Sequence, residues 1–405
     1  MKPRFEDVEK ALSKPAPYGL DIDITNYVVE EPTVEELKSK ELEEPVRRAA
    51  ERVGFNGIRP SYLQVDQVAF YNLLEKRLRS YGVIVTPLRV AIDNYDLAKN
   101  ISWKLVDPRS DKYTALAYLK GGELGYFIYV PEGVRVETPI YTCLILRFER
   151  RAQLAHNVVY VGEGSEAHVV TGCAVPHGVK EGLHVGVTEF YVARNAKLTF
   201  SMIHAWSQGV HVRPRTAAYV EEGGEYVGYY ITYSPLASVQ MYPVVRLEAR
   251  AKADTVSVIV GLGNGDYDVG TRVTLEGVRA AGEITSRILG LDNSRIVARA
   301  EIVGRAPESR GHIECLGLLM SEGSSITAIP QIKSENPEST LSHEAAIGRI
   351  SREELEYLMS RGFTEDEAKA IIVRGFMKVD VPKLPEVVRR QVDNITRIVA
   401  KLATG

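Results

Sequence analysis

A thiol, an imidazole and a carboxylate lie within one stretch of the chain, residues 311–350. Cys315 belongs to a strand-like run, and His343 and Glu344 follow a second β-prone run and a polar loop. A thiolate accepts sulfane sulfur and binds iron, and carboxylate oxygen and imidazole nitrogen are also suitable iron ligands. This stretch is therefore a candidate site for iron or sulfur chemistry.

Each of these side chains also has a purely structural explanation. Cys315 is compatible with a buried cysteine that packs as a small apolar residue. Glu344 and His343 are compatible with a favourable carboxylate and a solvated imidazole ahead of a helix. If the two are extended, their side chains point to opposite faces, so both reach one site only at a bend. The residues alone favour the structural explanation and leave the functional one open.

The other two cysteines and the Gly-rich loop carry weaker indications. Cys173 follows Gly172 at the end of a predicted strand, where either a persulfide relay or a packed turn cysteine is compatible with the chemistry. Cys143 lies in an apolar run and is predicted to be core. Residues 261–265 (GLGNG) lack the GK[ST] ending of a phosphate-binding loop. We therefore expect no ATPase site in this chain.

The composition restricts the class of protein. The 405 residues are 45% hydrophobic and 25% charged, as in ordinary globular proteins. A net charge of −3 gives no bulk attraction to nucleic acid or to an anionic membrane. The three cysteines form no CxxC pair, so free thiols in a reducing cytoplasm are expected. No apolar run is long enough to span a bilayer. We predict a cytoplasmic protein with neither a nucleic-acid nor a membrane partner.

The first part of the chain, residues 1–110, is predicted to be mostly helical. Residues 5–12 and 92–100 are typical of short helices. A T-x-x-E capping box at Thr33 predicts a further helix start. Asp66 is predicted to cap a helix over residues 68–78, whose apolar side chains fall on one helical face.

The pattern changes to short apolar runs between about residue 113 and residue 332. These runs alternate with Gly, Asn and Asp turns at intervals of about ten residues, which indicates an all-β region. A β-sandwich uses about seven to nine strands in roughly 100 residues, and this region has far more runs. A stacked β-helix accommodates them in one continuous core. Although no strict repeat is present, strand number and spacing favour a β-helix core over residues 111–340.

Helical patterns return after Ile350, within a C-terminal helical domain expected over residues 341–405. Capping boxes at Ser351 and Thr364 each precede an amphipathic run, and Pro385 suits the first turn of a final helix. These helices could pack on the β core or dock in the groove of a partner.

Several motifs in this order resemble the SufB/SufD family of iron–sulfur cluster assembly proteins. Residues 341–350 (LSHEAAIGRI) are similar to the family's late HEA-x-x-G/S-R-I motif, and residues 354–376 resemble its YLxSRGxxxxEA…GF ending. Residues 129–134 (YVPEGV), 170–176 (VTGCAVP) and 62–67 (YLQVDQ) resemble three earlier motifs. The resemblance covers most of the chain.

The resemblance implies a fold and a role. The implied fold is a right-handed parallel β-helix core with N- and C-terminal helical domains. The implied role is that of a non-enzymatic scaffold for a transient iron–sulfur cluster, with a desulfurase system as the sulfur donor. A SufC-type ABC ATPase would hydrolyse ATP and bind the C-terminal helices. The residues expected to contact it are Leu355, Tyr357, Leu358, Arg361, Phe363, Ile371, Ile372 and Phe376.

The same resemblance assigns residue roles. Cys315 and Glu344 match the family's scaffold cysteine and the Glu of its HE pair, so both are expected to bind iron, with His343 a weaker candidate. SufD-type members typically lack this cysteine and carry HG, so the chain is more similar to SufB. Cys173 matches a thiol on the path by which sulfur arrives.

The chain departs from the family in one respect, and two alternative functions stay open. The chain lacks the clustered N-terminal cysteines of some SufB proteins, so a second copy, a SufB/SufD paralogue in a heterodimer or small thiols would complete the cluster. Participation of a flavin is undetermined. The alternatives are a SufD-like structural partner without its own cluster and, more remotely, a β-helix enzyme acting on polysaccharides.

Overall fold

Two long sheets form the body of the molecule. The computed structural model describes residues 3–29, 43–71, 76–121 and 124–377, together with Arg389, Asp393 and Arg397. Strands make up 45% and helices 20%, and the strands stack into a parallel β-solenoid of about 8 turns with helices at both ends. The predicted parallel β-helix is therefore confirmed.

Each turn of the β-helix contributes strands to two faces, called here sheet I and sheet II. In the described part of the chain, sheet I runs in the order β2 (Val68–Tyr71), β1 (Tyr62–Val65), β5 (Ile140–Ile145), β7 (Glu166–Ala174), β9 (Lys197–Ala205), β12 (Glu225–Thr232), β15 (Lys252–Gly261), β17 (Ala281–Gly290), β19 (Arg310–Leu319) and β21 (Thr340–Arg349). Sheet II runs in the order β10 (Gly209–Val212), β13 (Ser238–Met241), β16 (Asp266–Leu275), β14 (Val244–Leu247), β11 (Arg215–Val220), β8 (Glu181–Val192), β6 (Ala152–Val161), β4 (Tyr126–Val130) and β3 (Ile84–Pro87), and β18 (Arg295–Gly304) and β20 (Ser325–Ser334) extend it from β16.

Helices flank this core at both ends of the chain. Those that the structure describes are α1 (Phe5–Ala11), α2 (Glu43–Arg52), α3 (Lys76–Ser80), α4 (Leu88–Asn94), α5 (Asp96–Ile101), α6 (Lys112–Leu116), α7 (Arg352–Ser360) and α8 (Glu365–Met377). None of them offers an apolar segment long enough to cross a membrane.

The register of the strands decides which side chains face inward. Except for β1–β2 and β3–β4, the strand pairs described are parallel, and residues on successive turns stack directly. Because side chains alternate between the two faces of a strand, every second residue of sheet I enters the interior. Ile284 and Ile313 do so and are fully or almost fully buried.

The outer face of sheet I is covered by helices from both ends of the chain. Val53, which follows α2, and Val373 and Met377 of α8 are buried in one apolar cluster on this face. The chain at the end of α2 lies very close to sheet I: a Cβ atom added to Gly172 would be 2.4 Å from Val53 Cγ2. The outer face of sheet II is covered partly by N-terminal segments, including α4 and α6.

The chain does not form the predicted helix that Asp66 was expected to cap. Asp66 has a φ of +48° and lies in the turn between β1 and β2. Its carboxylate accepts a 2.8 Å hydrogen bond from the Arg147 backbone N–H, and burial raises its pKa to about 7. The prediction was wrong because β1 pairs with both β2 and β5, and these tertiary pairings override a local helical pattern.

The expected segment boundaries also differ from the observed elements. Strands β1–β3 precede residue 111 and belong to the two sheets, whereas residues 340–349 form β21, paired in parallel with β19. The C-terminal helices begin only at Arg352. Pairing with β19 makes residues 340–349 a strand, so the domain boundary expected at residue 341 falls inside β21.

The N-termini of α7 and α8 are capped differently. Thr364 and Glu367 form the predicted capping box, with hydrogen bonds of 2.8 Å from Thr364 N–H to Glu367 Oε2 and 3.3 Å from Glu367 N–H to Thr364 Oγ1. Ser351 makes no side-chain capping bond, so that prediction was wrong. The start of the helical stretch expected from Thr33 lies outside the described residues, and the later part of that stretch is α2. Of the helix expected from Pro385, the structure describes only the helical Arg389, Asp393 and Arg397.

Candidate functional site

Cys315 lies inside the β-helix, close to one end. It belongs to β19 and stacks between Ser286 of β17 and Ala345 of β21. The side chain packs in the interior apolar cluster and is 3% exposed. Burial raises the pKa of its thiol to about 11, although the nearby Arg287 opposes the shift. In this state Cys315 is a neutral thiol near pH 7, so iron or an incoming cation must favour its ionisation.

Glu344 and His343 lie on the next strand, β21, which is extended. Glu344 is in register with Glu314, and His343 is in register with Ile313. Because neighbours alternate, His343 shares the face of Cys315, and Glu344 is on the opposite, outer face of sheet I. Both residues are exposed. The structure thus brings Cys315 and Glu344 onto adjacent strands but not onto the same face.

The outer face beside Glu344 carries charged and polar pairs. Glu314 forms an ion pair with Arg287 at 2.7 Å, and His312 Nδ1 lies 2.8 Å from Ser342 Oγ. Among the residues that the structure describes, no three His, Cys, Asp or Glu side chains are grouped closely enough to hold a metal ion. A complete iron site would therefore require ligands from elsewhere or a rearrangement.

Cys173 lies deeper in the same interior. It belongs to β7, is 1% exposed, and is in register with His204 of β9, which is in register with Thr232 of β12. Burial raises the pKa of Cys173 well above its usual value. The accessibility suggested by its position near the end of a strand is not observed in this conformation.

Several buried polar atoms near Cys173 have no hydrogen-bond partner among the residues that the structure describes. They are His204 Nε2, Trp206 Nε1 and Thr232 Oγ1. The other ring nitrogen of His204 lies 3.1 Å from the Tyr230 hydroxyl. A neighbouring imidazole, His184, packs on Trp206 with ring centroids 4.9 Å apart. Unsatisfied buried polar groups are costly, so a polar atom added at Cys173 would have hydrogen-bonding groups beside it once the packed side chains move.

His204 and Trp206 had not been singled out from the sequence. Their spacing in the chain matches no metal motif, and only the stacking of β9 on β7 brings them to Cys173. The strand register was the missing information, since a one-residue shift would reverse which side chains enter the interior.

The two interior thiols are separated by five strand steps, β7–β9–β12–β15–β17–β19. At about 4.8 Å per step this is roughly 24 Å. The interior between them includes Met202, Tyr230, Ser257 and Ser286, which lie in one register row with Cys315. A cavity of about 50 Å³ borders the first three of these. Direct attack of the Cys315 thiolate on a persulfide carried by Cys173 is therefore excluded in this conformation.

The predicted partner-binding residues fall on two helices with different surroundings. On and after α7, Tyr357 is 57% exposed and Phe363 is 41% exposed. The Arg361 guanidinium lies 5.3 Å from the centre of the Tyr357 ring. The other expected residues are half-buried: Leu355, Leu358, Ile371, Ile372 and Phe376. Thus α8 packs on sheet I while α7 leaves an apolar surface uncovered by the described residues.

This combination of features defines a class of protein: a parallel β-helix with interior thiols and helical ends. A family model described as the SufBD core domain of the SUF system for FeS cluster assembly matches residues 145–376. The chain belongs to this family.

Similar proteins support the assignment along the whole chain. An iron–sulfur cluster assembly SufBD family protein of Methanothermobacter thermautotrophicus is 38% identical over 395 residues, covering 95% of each chain. Its counterpart in Archaeoglobus fulgidus is 43% identical over 333 residues, covering 82% of this chain and 88% of the relative. One from Pyrococcus horikoshii is 30% identical over 419 residues, covering 100% and 92%.

Proposed function

We propose that this chain is the scaffold subunit of a SUF-type complex, on which sulfur and iron become a nascent iron–sulfur cluster. The observation that carries the proposal is the position of Cys315, an interior thiol one strand from the last described strand of sheet I. Such a thiol can take part in cluster chemistry at the end of the β-helix without a channel through its wall. Family membership favours assembly over the polysaccharide-enzyme alternative.

Sulfur would arrive first at Cys173. Its thiolate attacks the terminal sulfur of a persulfide on the desulfurase system; a new S–S bond forms at Cys173, the donor's S–S bond breaks, and the donor leaves as a thiolate that takes up the released proton. No external oxidant or reductant is needed. The indole N–H of Trp206 and the free ring nitrogen of His204 are available to the added sulfur. Passage on to Cys315 then requires a mobile sulfur species or an opened interior.

Iron would bind at the end of the β-helix, where His343 and Glu344 are exposed. Because Glu344 is on the other face from Cys315, the site is proposed to be completed by a second chain, in a homodimer or in a heterodimer with a SufB/SufD paralogue. Ile332 and Ile347, which are 42% and 40% exposed, give the last strands an apolar surface for this contact. Edge strands and exposed apolar groups favour such pairing.

ATP hydrolysis is proposed to come from a SufC-type ABC ATPase that docks on the C-terminal helices. The exposed Tyr357 and Phe363 supply an aromatic anchor, the kind of residue that dominates protein interfaces. Three cysteines without a disulfide support a cytoplasmic location.

Anaerobic reconstitution with iron and sulfide, followed by absorbance and Mössbauer spectroscopy, tests the scaffold function. We expect a cluster in the wild type, its loss in Cys315→Ala, and a reduced yield in Glu344→Ala. Cys143→Ala is the matched control, because Cys143 is equally buried but lies in the cluster on the outer face of sheet I. Ile347→Lys tests the shared site: it should yield monomers in size-exclusion chromatography and lose the cluster while retaining Cys315.

The outcomes separate the two candidate roles. A normal cluster yield in Cys315→Ala would overturn the assignment of that thiol. A cluster formed only after a paralogous partner is added, and retained in Cys315→Ala, would favour the SufD-like structural role. The opposite faces of Cys315 and Glu344 give that second candidate its support.

A further inference from the structure

A cleft on the outer face of sheet II is distant in sequence from the residues of the proposed site. It lies between the N-terminal residues Pro17 and Tyr18, the loop around Leu105–Asp111 and the strands β11, β14 and β16, and its volume is about 360 Å³. Ligand pockets typically have about 300–1,000 Å³, so the cleft has room for a small organic molecule.

The carboxylates in and beside the cleft are all engaged. Asp111 Oδ2 lies 2.8 Å from Arg215 Nε, and Asp107 pairs with Arg109 at 2.7 Å. Glu301 contacts Arg272 Nη2 at 3.1 Å and accepts a 3.0 Å hydrogen bond from the Tyr242 hydroxyl. Their negative charge is therefore largely compensated by these partners.

The uncommitted groups are cationic donors. Arg246 is exposed and makes no hydrogen bond or ion pair with any residue that the structure describes. The Nε–H of Arg272 is buried and has no hydrogen-bond partner among the described residues, while the side chain as a whole is 39% exposed. Arg272 is in register with Val244 on the neighbouring strand, and Arg246 lies two residues after Val244. Because side chains two residues apart share a face of the sheet, the two arginines point to the same side.

The walls of the cleft add an apolar component. Tyr18 and Tyr242 border it with ring centroids 5.7 Å apart, and Val106 and Val244 also line it. A ligand that satisfies the whole cleft would thus combine an anionic group with a flat or apolar part.

We propose that this cleft binds a small phosphate ester of about mononucleotide size. Guanidinium groups form charge-assisted and often bidentate hydrogen bonds with phosphate oxygens, which would engage Arg246 and the exposed part of the Arg272 guanidinium. The ring of the ester would lie against the tyrosines. The proposal does not depend on cluster assembly.

Isothermal titration calorimetry of the full chain with adenosine monophosphate, inorganic phosphate and adenosine, without iron or sulfide, tests this site. We expect adenosine monophosphate to bind, inorganic phosphate to bind more weakly, adenosine to show no binding, and affinity to fall with added salt. Arg246→Ala should weaken binding about tenfold or more, because a hydrogen bond to a charged group is lost, and Arg246→Lys should weaken it less.

Arg194→Ala is the matched control, since Arg194 is exposed in the turn between β8 and β9 and outside the cleft. Circular dichroism and thermal unfolding check that each variant is folded. Absence of binding by both phosphate compounds at millimolar concentration would overturn the proposal. Equal weakening in Arg246→Ala and Arg194→Ala would also overturn it, because the effect would then reflect net charge alone.

Discussion

The surroundings of Cys173 and Cys315 differ although both thiols face the same interior. Around Cys173, turns of the β-helix continue on both sides, and the neighbouring His204 and Trp206 are at most 1% exposed. Around Cys315, β21 is the one further strand of sheet I in the described part of the chain, and every residue of that strand except Leu341 is exposed. One thiol lies in a closed interior and the other lies near an open end.

This difference shows that position along the stack, rather than residue type, separates the two thiols. Burial raises the pKa of both, to about 11 for Cys315 and well above the usual range for Cys173. A small movement of β21 would expose Cys315, whereas Cys173 can be reached only by opening several packed side chains. The proposed assembly site therefore lies at the open end, and the proposed sulfur relay lies in the closed interior.

Shortening a side chain to alanine should lower the free energy of unfolding much more in the closed interior than at the open end, and this is the largest difference that we expect. Trp206→Ala is expected to lower the free energy of unfolding by about 3–5 kcal/mol, because it removes a buried aromatic side chain. Ile347→Ala at the open end should cost roughly 0.5 kcal/mol or less, since the side chain is already 40% exposed. Chemical denaturation of dilute protein measures both values. A cost for Ile347→Ala that grows with protein concentration would support the proposed contact of a second copy at this end, whereas a cost as large as that of Trp206→Ala in dilute protein would contradict the contrast.

The closed interior should also make the protein sensitive to acid. Burial in the interior lowers the pKa of His184 to about 3, and partial burial on the outer face of sheet II lowers that of His211 to about 4, whereas an unfolded histidine titrates near 6.5. As pH falls, the unfolded state therefore binds more protons than the folded state does. Above about pH 6.5 this difference does not lower the free energy of unfolding. Below that pH, the free energy of unfolding falls by up to about 1.4 kcal/mol per pH unit for each group.

Denaturant unfolding at pH 7, 6 and 5 measures this slope, and His184→Gln should make it shallower. The exposed loop residue His177 provides the control, His177→Gln, which should keep the wild-type slope. An unchanged slope in His184→Gln would mean that the interior admits the charged imidazole.

The rate of thiol alkylation should show the smallest difference between the closed interior and the open end. Because the thiolate is the reactive form, labelling of Cys315 should rise about tenfold per pH unit between pH 8 and pH 10, below its pKa of about 11. Cys173 should react at least tenfold more slowly at each pH. Mass spectrometry of the labelled peptides measures both rates, and equal rates would contradict the contrast between a closed interior and an open end.

Prediction from the sequence succeeded where a local pattern and the tertiary structure agree. The stacked strands followed from the number and spacing of apolar runs, and the capping box at Thr364 followed from four residues. It failed at Asp66, because strand pairing with distant parts of the chain overrides a local helical pattern, and the domain boundary expected at residue 341 falls inside β21. The same limit applies to the site: the resemblance grouped Cys315 with His343 and Glu344, but which of them shares a face with Cys315 could not be predicted.

The sequence by itself determined the family, the β-helix core and the identity of the three thiols, because motifs, apolar spacing and residue types are local properties of the chain. Only the tertiary structure decided that Cys315 and Glu344 lie on opposite faces of sheet I, that His204 and Trp206 surround Cys173, and that Arg246 and Arg272 share a cleft. These relations depend on strand register and on where the stack ends. Both are set by packing across the whole β-helix, since each strand finds its position only against its neighbours.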